Sequence, residues 1–301
     1  MKKKIGILMG GTSSERDISL KTSASMLQHL DNEKFEAIPI EINEQSDVLT
    51  KCQNIDFALI GLHGRFGEDG CVQAILETMN IPYSGCGVLA SALSMDKDMT
   101  KKIVRHAGIR TADWCIVTTS YQLDYLDAKY PLFVKPNSGG SSVATSLVKD
   151  ASELKAAFKE ALRYDREVMI ETCIQGEEIS VPMIDGKIYP IIAIKPKGAF
   201  FDKAAKYETG DAAADEFIVE FDEPLKSEIE WMLNETWRAL KLEGYARIDF
   251  IIEDNVPYLL EVNTLPGMTE TSLMPQSCAH AGLAFTDLLT HLIDISSKIK
   301  R

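Results

Sequence analysis

Two short segments carry polar groups at strand spacing, Arg247-Ile248-Asp249 and Glu261-Val262-Asn263. Residues two apart in a β-strand share a face, so each segment sets its two polar side chains together. With Asp254-Asn255-Val256 as a three-residue hairpin loop, the register places Asp249 opposite Glu261 and Arg247 opposite Asn263. Ile248, Phe250, Leu260 and Val262 then turn the other way, into a core. Directly opposed carboxylates repel. A hard divalent cation relieves that repulsion, and Asp, Glu and an Asn carbonyl are oxygen ligands of the kind Mg²⁺ accepts beside phosphates. The competing reading is an exposed hairpin on which Arg247 neutralises both acids.

A second candidate is Lys135-Pro136-Asn137-Ser138-Gly139-Gly140-Ser141-Ser142-Val143. Glycines let backbone N–H groups approach an anion, serine hydroxyls add donors and Lys135 adds a point charge, which together describe a phosphate cradle. An ordinary flexible hairpin has the same composition. The segment is neither a GxxxxGK[ST] loop nor a GxSxG nucleophile elbow. A third, Met9-Gly10-Gly11-Thr12-Ser13-Ser14-Glu15, runs from a strand through a small-residue turn into a helix, but the GxGxxG spacing of a dinucleotide site fails. Free N–H groups there suit a carboxylate and Glu15 suits an ammonium, the two ends of an amino acid. The alternative is a first-turn carboxylate that only favours the helix dipole. A fourth is His63 in a glycine-rich loop, 62–70, at a strand's carboxyl end, where ligands of α/β sheets gather. Lys195, Lys197, Lys203 and Lys206 fall in or just before a polar, aperiodic run, 199–216, and describe a basic lid closing over phosphates.

Alternating strands (4–9, 35–42, 57–62) and helices (16–30, 71–79) make the first ninety residues a small α/β layer. A second unit opens at Ser94-Met95-Asp96-Lys97, where Asp96 caps a helix to His106 and Gly108 stops it. Strands follow at 132–135, 143–148, 167–171 and 178–184, with a helix at 152–164. A third unit begins with an Asp185-Gly186 turn and a strand over 187–194. Leu225, Ile229, Met232, Leu233, Thr236 and Leu240 keep helical spacing, as do Phe285, Leu288, Leu289, Leu292 and Ile293 near the end. The units run 1–95, 96–184 and 185–301, and the fold class is α/β (α+β).

The chain has 301 residues, 45% of them hydrophobic, enough for real cores. Acidic residues outnumber basic ones by 45 to 32, a formal charge of -13, which disfavours a nucleic-acid partner. No apolar stretch reaches membrane-helix length, and the apolar run after Met1-Lys2-Lys3-Lys4 is too short for a secretory leader, so a soluble protein is expected. Cys52, Cys71, Cys86, Cys115, Cys173 and Cys278 show no metal spacing, as suits free thiols in a reducing compartment.

Seven segments together resemble the D-alanine–D-alanine ligases of the ATP-grasp superfamily over essentially the whole chain. They are GGTSSERDISL at 10–20, LHGRFGEDG at 62–70, SALSMDK at 91–97, VKPNSGGSSV at 134–143, AKYETG at 205–210, GYARIDF at 244–250 and LLEVNTLPGMTETS at 259–272. The resemblance implies an ATP-grasp fold, an N-terminal parallel-sheet domain followed by two subdomains clamping a nucleotide. It implies transfer of the ATP γ-phosphate to one D-alanine and attack on the acyl phosphate by the amine of a second, in peptidoglycan precursor synthesis. By the same resemblance, Asp249, Glu261 and Asn263 hold two Mg²⁺ ions, with Mn²⁺ able to substitute, and Lys97, Lys135 and Lys206 contact phosphates. Arg247 and the Gly267 N–H face the oxyanion. Glu15 takes the first D-alanine's ammonium and joins Ser141 and Tyr207 in a hydrogen-bonded group, with His63 near the same substrate. Ser272 and the Leu273 N–H receive the second substrate's carboxylate. Glu171 and Glu178 serve the adenine amino group and the ribose, beside Cys173 and Ile174. Thr172 departs from the lysine many members carry there, which bears on purine affinity, and Tyr207 is the dipeptide-forming type where D-lactate users differ. A cytoplasmic homodimer without membrane or nucleic-acid partners also follows from the resemblance. The competing functions are another ATP-grasp carboxylate–amine ligase and a nucleotide-binding module without turnover.

Overall fold

A computed structural model describes residues 2–140, 142–196 and 214–301. Ser141, Lys197, Lys203, Lys206 and Tyr207 lie outside the described residues, as does most of the lid at 199–216.

The first layer is a parallel sheet of β1 (Lys3–Gly10), β2 (Phe35–Ile42) and β3 (Phe57–Ile60), in the order β2-β1-β3. The central β1 and the short β3 carry buried apolar runs because both faces are covered, whereas the edge strand β2 exposes Glu36, Pro39 and Glu41. Helices α1 (Arg16–His29), α2 (Asp47–Lys51) and α3 (Cys71–Thr78) belong to this unit. Two helices from the far end of the chain, α8 (Leu273–His280) and α9 (Phe285–Ser296), complete its core. Leu288, Leu289, Leu292 and Ile293, all fully buried, cluster with Ile5, Ile7 and Leu8.

The sequence missed α4 (Val88–Met95), and α5 (Lys97–His106) follows it after a single extended residue, Asp96. Asp96 caps α5 as expected, its Oδ1 accepting from the Met99 N–H at 3.0 Å, and Gly108 ends it at φ +85°. Next is an antiparallel sheet of β4 (Trp114–Val117), β5 (Leu132–Pro136), β6 (Ser146–Val148) and β7 (Val168–Thr172), in the order β4-β7-β5-β6. Helix α6 (Ala151–Leu162) covers it with Leu154, Ala157, Phe158 and Ala161. The strand expected from 143 begins only at Ser146, because Ser142 and Ala144 take left-handed φ values of +53° and +52°.

The third sheet holds β8 (Glu177–Ile184), β9 (Lys187–Ile188), β10 (Ile191–Pro196), β11 (Ala214–Val219), β12 (Tyr245–Glu253) and β13 (Val256–Asn263). Its path is β11-β10-β8-β12-β13, with β9 paired to β8. The single strand expected over 187–194 is two, divided at Tyr189-Pro190, where proline has no N–H for a ladder. Residues 214–216, expected in the loop, start the edge strand β11. Helix α7 (Leu225–Ala239) buries Leu225, Ile229, Met232, Leu233 and Thr236, the predicted stripe. Because β8 pairs with both β10 and β12, residue 184 falls at a hairpin inside this sheet, and Cys86, Ala90 and Val104 from the α4–α5 region share its core.

Candidate active site

The β12–β13 hairpin has the expected register at its polar end, Arg247 opposite Asn263 and Asp249 opposite Glu261, for a reason the sequence did not disclose. The loop is two residues, Asp254 and Asn255, both left-handed at φ +50° and +62°, the geometry of a tight hairpin turn. A two-residue loop alone would put the acids out of step. The register shifts between Asp249 and Phe250, where Phe250 pairs with Leu259 and Asp249 with Glu261, leaving Leu260 as the extra residue of a bulge. The bulge also corrects which leucine faces the core. Leu259 is 1% exposed among the apolar side chains, whereas Leu260 is half-buried and lines the cleft.

Alternation sets Arg247, Asp249 and Ile251 on the cleft face, with Ile248 and Phe250 fully buried behind them. Arg247 grips Asp249 through Nε (2.9 Å) and Nη2 (2.7 Å), and Ser180 on the neighbouring strand donates to Asp249 Oδ1 at 2.6 Å. Burial disfavours the guanidinium cation, but the Asp249 carboxylate outweighs it and holds the Arg247 pKa above its ordinary value. Glu261 is partly exposed and lies 3.9 Å from Lys97 Nζ. Asn263 accepts the Leu265 N–H at 3.1 Å. Two carboxylates and an amide oxygen grouped at one end of a hairpin are hard oxygen donors that fit a divalent cation. Among the described residues, no group of three His, Cys, Asp or Glu side chains forms a metal site.

Opposite the hairpin stand the lysines. Lys97, at the first position of α5, donates to the Gly139 carbonyl, tying the glycine loop to the helix, and burial lowers its pKa. Asn137, fully buried, fixes the root of that loop: its Nδ2 donates to Asp96 Oδ1 (2.9 Å) and its Oδ1 accepts from the Asp98 N–H (2.9 Å). Lys135 pairs with Glu171 Oε1, and Lys101 lies 3.0 Å from Oε2 of the same carboxylate. Burial pushes the Glu171 carboxyl up, yet the two ammonium groups prevail and bring it to about 2. Lys101, Glu68 and Asn137 escaped sequence reasoning. Lys101 had a usable signal, since it stands four residues after Lys97 on one helix face.

The cleft between these elements includes Phe133, Glu171, Thr172, Ile174, Glu178 and Tyr258 in its lining. Cys173 is half-buried and is not among the lining residues. The lining of a second cleft includes Thr12, Ser13, Ser14, Glu15, Gly64 and Arg65. The two clefts share Pro136, Gly139, Gly140 and Val143, so the glycine loop is their common wall.

Glu15 occupies the N-cap position of α1 but makes no capping hydrogen bond. Its carboxylate lies between Gly64 and Gly140, where an added Cβ would come within 2.8 Å and 3.2 Å of Oε1. His63 is buried behind this cleft, its Nε2 3.1 Å from Thr22 Oγ1 and its Nδ1 3.4 Å from Glu68 Oε1. Gly267 lies against Ser272, the N-cap of α8, with room for a Cβ only 3.0 Å from Ser272 Oγ. Leu273 opens that helix.

Family models described as the D-ala D-ala ligase C-terminus and N-terminus match residues 103–294 and residues 4–51 and 43–86. The chain belongs to the D-alanine–D-alanine ligase family. It is 54% identical over 301 residues to D-alanine–D-alanine ligase A of Clostridium perfringens, covering 99% of each chain. Among solved structures it resembles the D-alanine–D-alanine ligase of Bacillus anthracis complexed with ATP, at 42% identity, 98% coverage of each chain and a TM-score of 0.87. A D-Ala:D-Ser ligase from Enterococcus faecalis is more distant in sequence, 28% identical with a TM-score of 0.82, covering 98% of this chain and all of that one (100%). Like these ligases, the chain has a mixed α/β fold with a parallel N-terminal sheet and antiparallel sheets after it. No helix among the described residues is long and apolar enough to cross a membrane.

Proposed function

We propose that this protein is an ATP-dependent D-alanine–D-alanine ligase serving peptidoglycan precursor synthesis. The observation that carries the proposal is the shared wall: a lysine-lined cleft and the Glu15 cleft meet at one glycine loop. Such an arrangement suits a reaction in which a phosphoryl group crosses from a nucleotide to an amino-acid carboxylate.

In this reading Lys97 and Lys135 hold phosphates from the cleft floor, Lys206 joins them from the 199–216 segment, and Glu178 orients the ribose. Glu171 works beside the adenine, its carboxylate engaged with Lys135, and Ile174, with Cys173 next to it, belongs to the same end. Glu15 holds the first D-alanine's ammonium, joined by Ser141 and Tyr207, while His63 supports the site from behind. The carboxylate oxygen of this D-alanine attacks the γ-phosphorus and ADP departs. The amine of the second D-alanine, whose carboxylate rests on Ser272 and the Leu273 N–H, attacks the acyl carbon and expels phosphate, which takes up the proton the amine loses. Arg247 and the Gly267 N–H stabilise the charge that develops on the oxygen. Asp249, Glu261 and Asn263 would hold Mg²⁺ or Mn²⁺, two per site, which when bound screens phosphate charge.

We assign units 1–95 to the first amino acid, 96–184 to the nucleotide and 185–301 to the metal and the second substrate. The family resemblance supports a cytoplasmic homodimer. Phosphate release from ATP and Mg²⁺ is the test, with D-alanine alone or D-alanine paired with D-serine or D-lactate, and the product identified by mass. A D-alanyl-D-alanine product bears the proposal out. A mixed product from a competing acceptor would overturn the substrate, and silence with every acceptor would leave a binding module.

A further inference from the structure

We propose that Lys101 is a positioning residue that, by sharing the Glu171 carboxylate with Lys135, keeps Lys135 available as a cation for an ATP phosphate. The inference rests on the functional reading above and names a residue that reading does not use.

Lys101 is sealed beneath the cleft, its side chain 2% exposed. Its ammonium donates to Thr111 Oγ1 at 2.6 Å and to the Ala112 carbonyl at 3.2 Å, and lies 3.0 Å from Glu171 Oε2 as an ion pair. Thr111 in turn donates to the Leu259 carbonyl at 2.8 Å, which references the ammonium to β13, and the Trp114 ring centre lies 5.2 Å from Nζ. A buried lysine is costly unless paired, so this placement calls for a reason.

Charge counting supplies it. Lys135 and Glu171 alone would be a closed neutral pair, with both carboxylate oxygens free to turn to one ammonium. Two lysines on one carboxylate leave an excess positive charge. Among the described residues Oε2 makes no hydrogen bond, so the Lys101 ammonium, 3.0 Å away as an ion-pair partner, is the charge that faces that oxygen. In a poorly solvated site an attraction of this kind is strong, and a phosphate competing with a fully engaged carboxylate for Lys135 would lose. Lys101 thus acts through Glu171 on Lys135.

The test is a pair of variants of the full-length protein, Lys101→Met and Lys101→Met/Glu171→Gln. ATP affinity is read by calorimetry, and turnover by the KM values for ATP and D-alanine. In Lys101→Met the ATP Kd and KM are expected to rise about tenfold with the D-alanine KM moving less than about twofold, the weight of one charge-assisted contact. In the double variant the competing carboxylate is gone, and affinity for inorganic tripolyphosphate, which has no adenine to lose the Glu171 contact, should fall in Lys101→Met and return in the double variant to within about threefold of the parent. A double variant no better than Lys101→Met would make Lys101 a packing residue and overturn the inference. An unchanged ATP affinity in the single variant would do the same. If Lys101→Met is insoluble, Lys101→Gln, which keeps amide donors for the Ala112 carbonyl, takes its place with the same outcomes. A parent protein that binds ATP without D-alanine turnover would sink the ligase reading and leave the affinity comparison intact; one that binds no ATP overturns both.

Discussion

Glu261 stands at the polar end of the β12–β13 hairpin, partly exposed, with Lys97 3.9 Å from its carboxylate. Replacing it by Gln keeps the shape and removes the charge a divalent cation needs. Glu261→Gln should cut turnover by about a hundredfold or more, as loss of a key electrostatic group does, while moving stability by less than about 0.5 kcal/mol, as at other exposed sites. Phosphate release and a urea melt on one preparation check both parts, and full activity would remove Glu261 from the metal assignment. Glu171 makes a different prediction because it is buried. Its carboxyl, ordinarily near 4.5, sits at about 2 in the folded protein. The unfolded chain therefore takes up the proton first, and this contribution to stability is present above about pH 4.5 and lost as the pH falls towards 2. Urea midpoints between pH 6 and pH 3 should fall less steeply in Glu171→Gln than in the parent; equal slopes would mean that the paired carboxylate is not what the acid limb reports.

Elements were legible where period and punctuation agreed. The α7 stripe, the Asp96 cap with the Gly108 stop, and the alternation of Arg247 and Asp249 each state a local geometry that tertiary contacts only reinforce. The hairpin shows where legibility ends. Pairing Asp249 with Glu261 was correct, but from a three-residue loop, whereas the strands meet at a two-residue turn and a bulge at Leu260 restores the step. A bulge depends on what packs on both faces of a strand, which one strand's residues do not encode. Helix α4 was missed for a related reason: its small residues carry no stripe of their own and gain their helix from the sheet beneath. Close approach between elements was equally hidden. At Gly176, just before β8, an added Cβ would lie 2.0 Å from the Ile252 carbonyl on β12. Gly176→Ala must push β8 from β12 and should cost about 2 kcal/mol or more by backbone displacement, with a lower melting temperature as the readout. A melting temperature within a degree of the parent's would show that the two strands separate there without cost.

At the scale of the whole molecule, the two clefts meet at a wall that belongs to both. The last helix, recognisable as core from its stripe, gave no hint that its partner is the first sheet, since a stripe specifies burial and not what it is buried against. The same long-range logic governs the glycine loop, whose root is held by Asp165 from beyond α6. Asp165, with a side chain 4% exposed, accepts the Ser138 N–H at 2.7 Å and lies 3.6 Å from Arg65 of the first unit. Neutralising it leaves a buried amide oxygen and nitrogen where a carboxylate accepted, so the wall loosens towards both clefts at once. Asp165→Asn is expected to raise the KM for ATP and for the first D-alanine together, by about three- to tenfold, the weight of one charged hydrogen bond to a backbone N–H. Arg65 is 61% exposed and contributes little as an ion-pair partner. Arg65→Gln should therefore leave both constants nearly unmoved, which separates anchoring of the loop from attraction between the units. A change confined to one substrate in Asp165→Asn would mean that each cleft has its own support. A joint change would identify the loop as the element through which filling one cleft prepares the other, since any ligand that orders the wall lowers the cost of ordering it for the next.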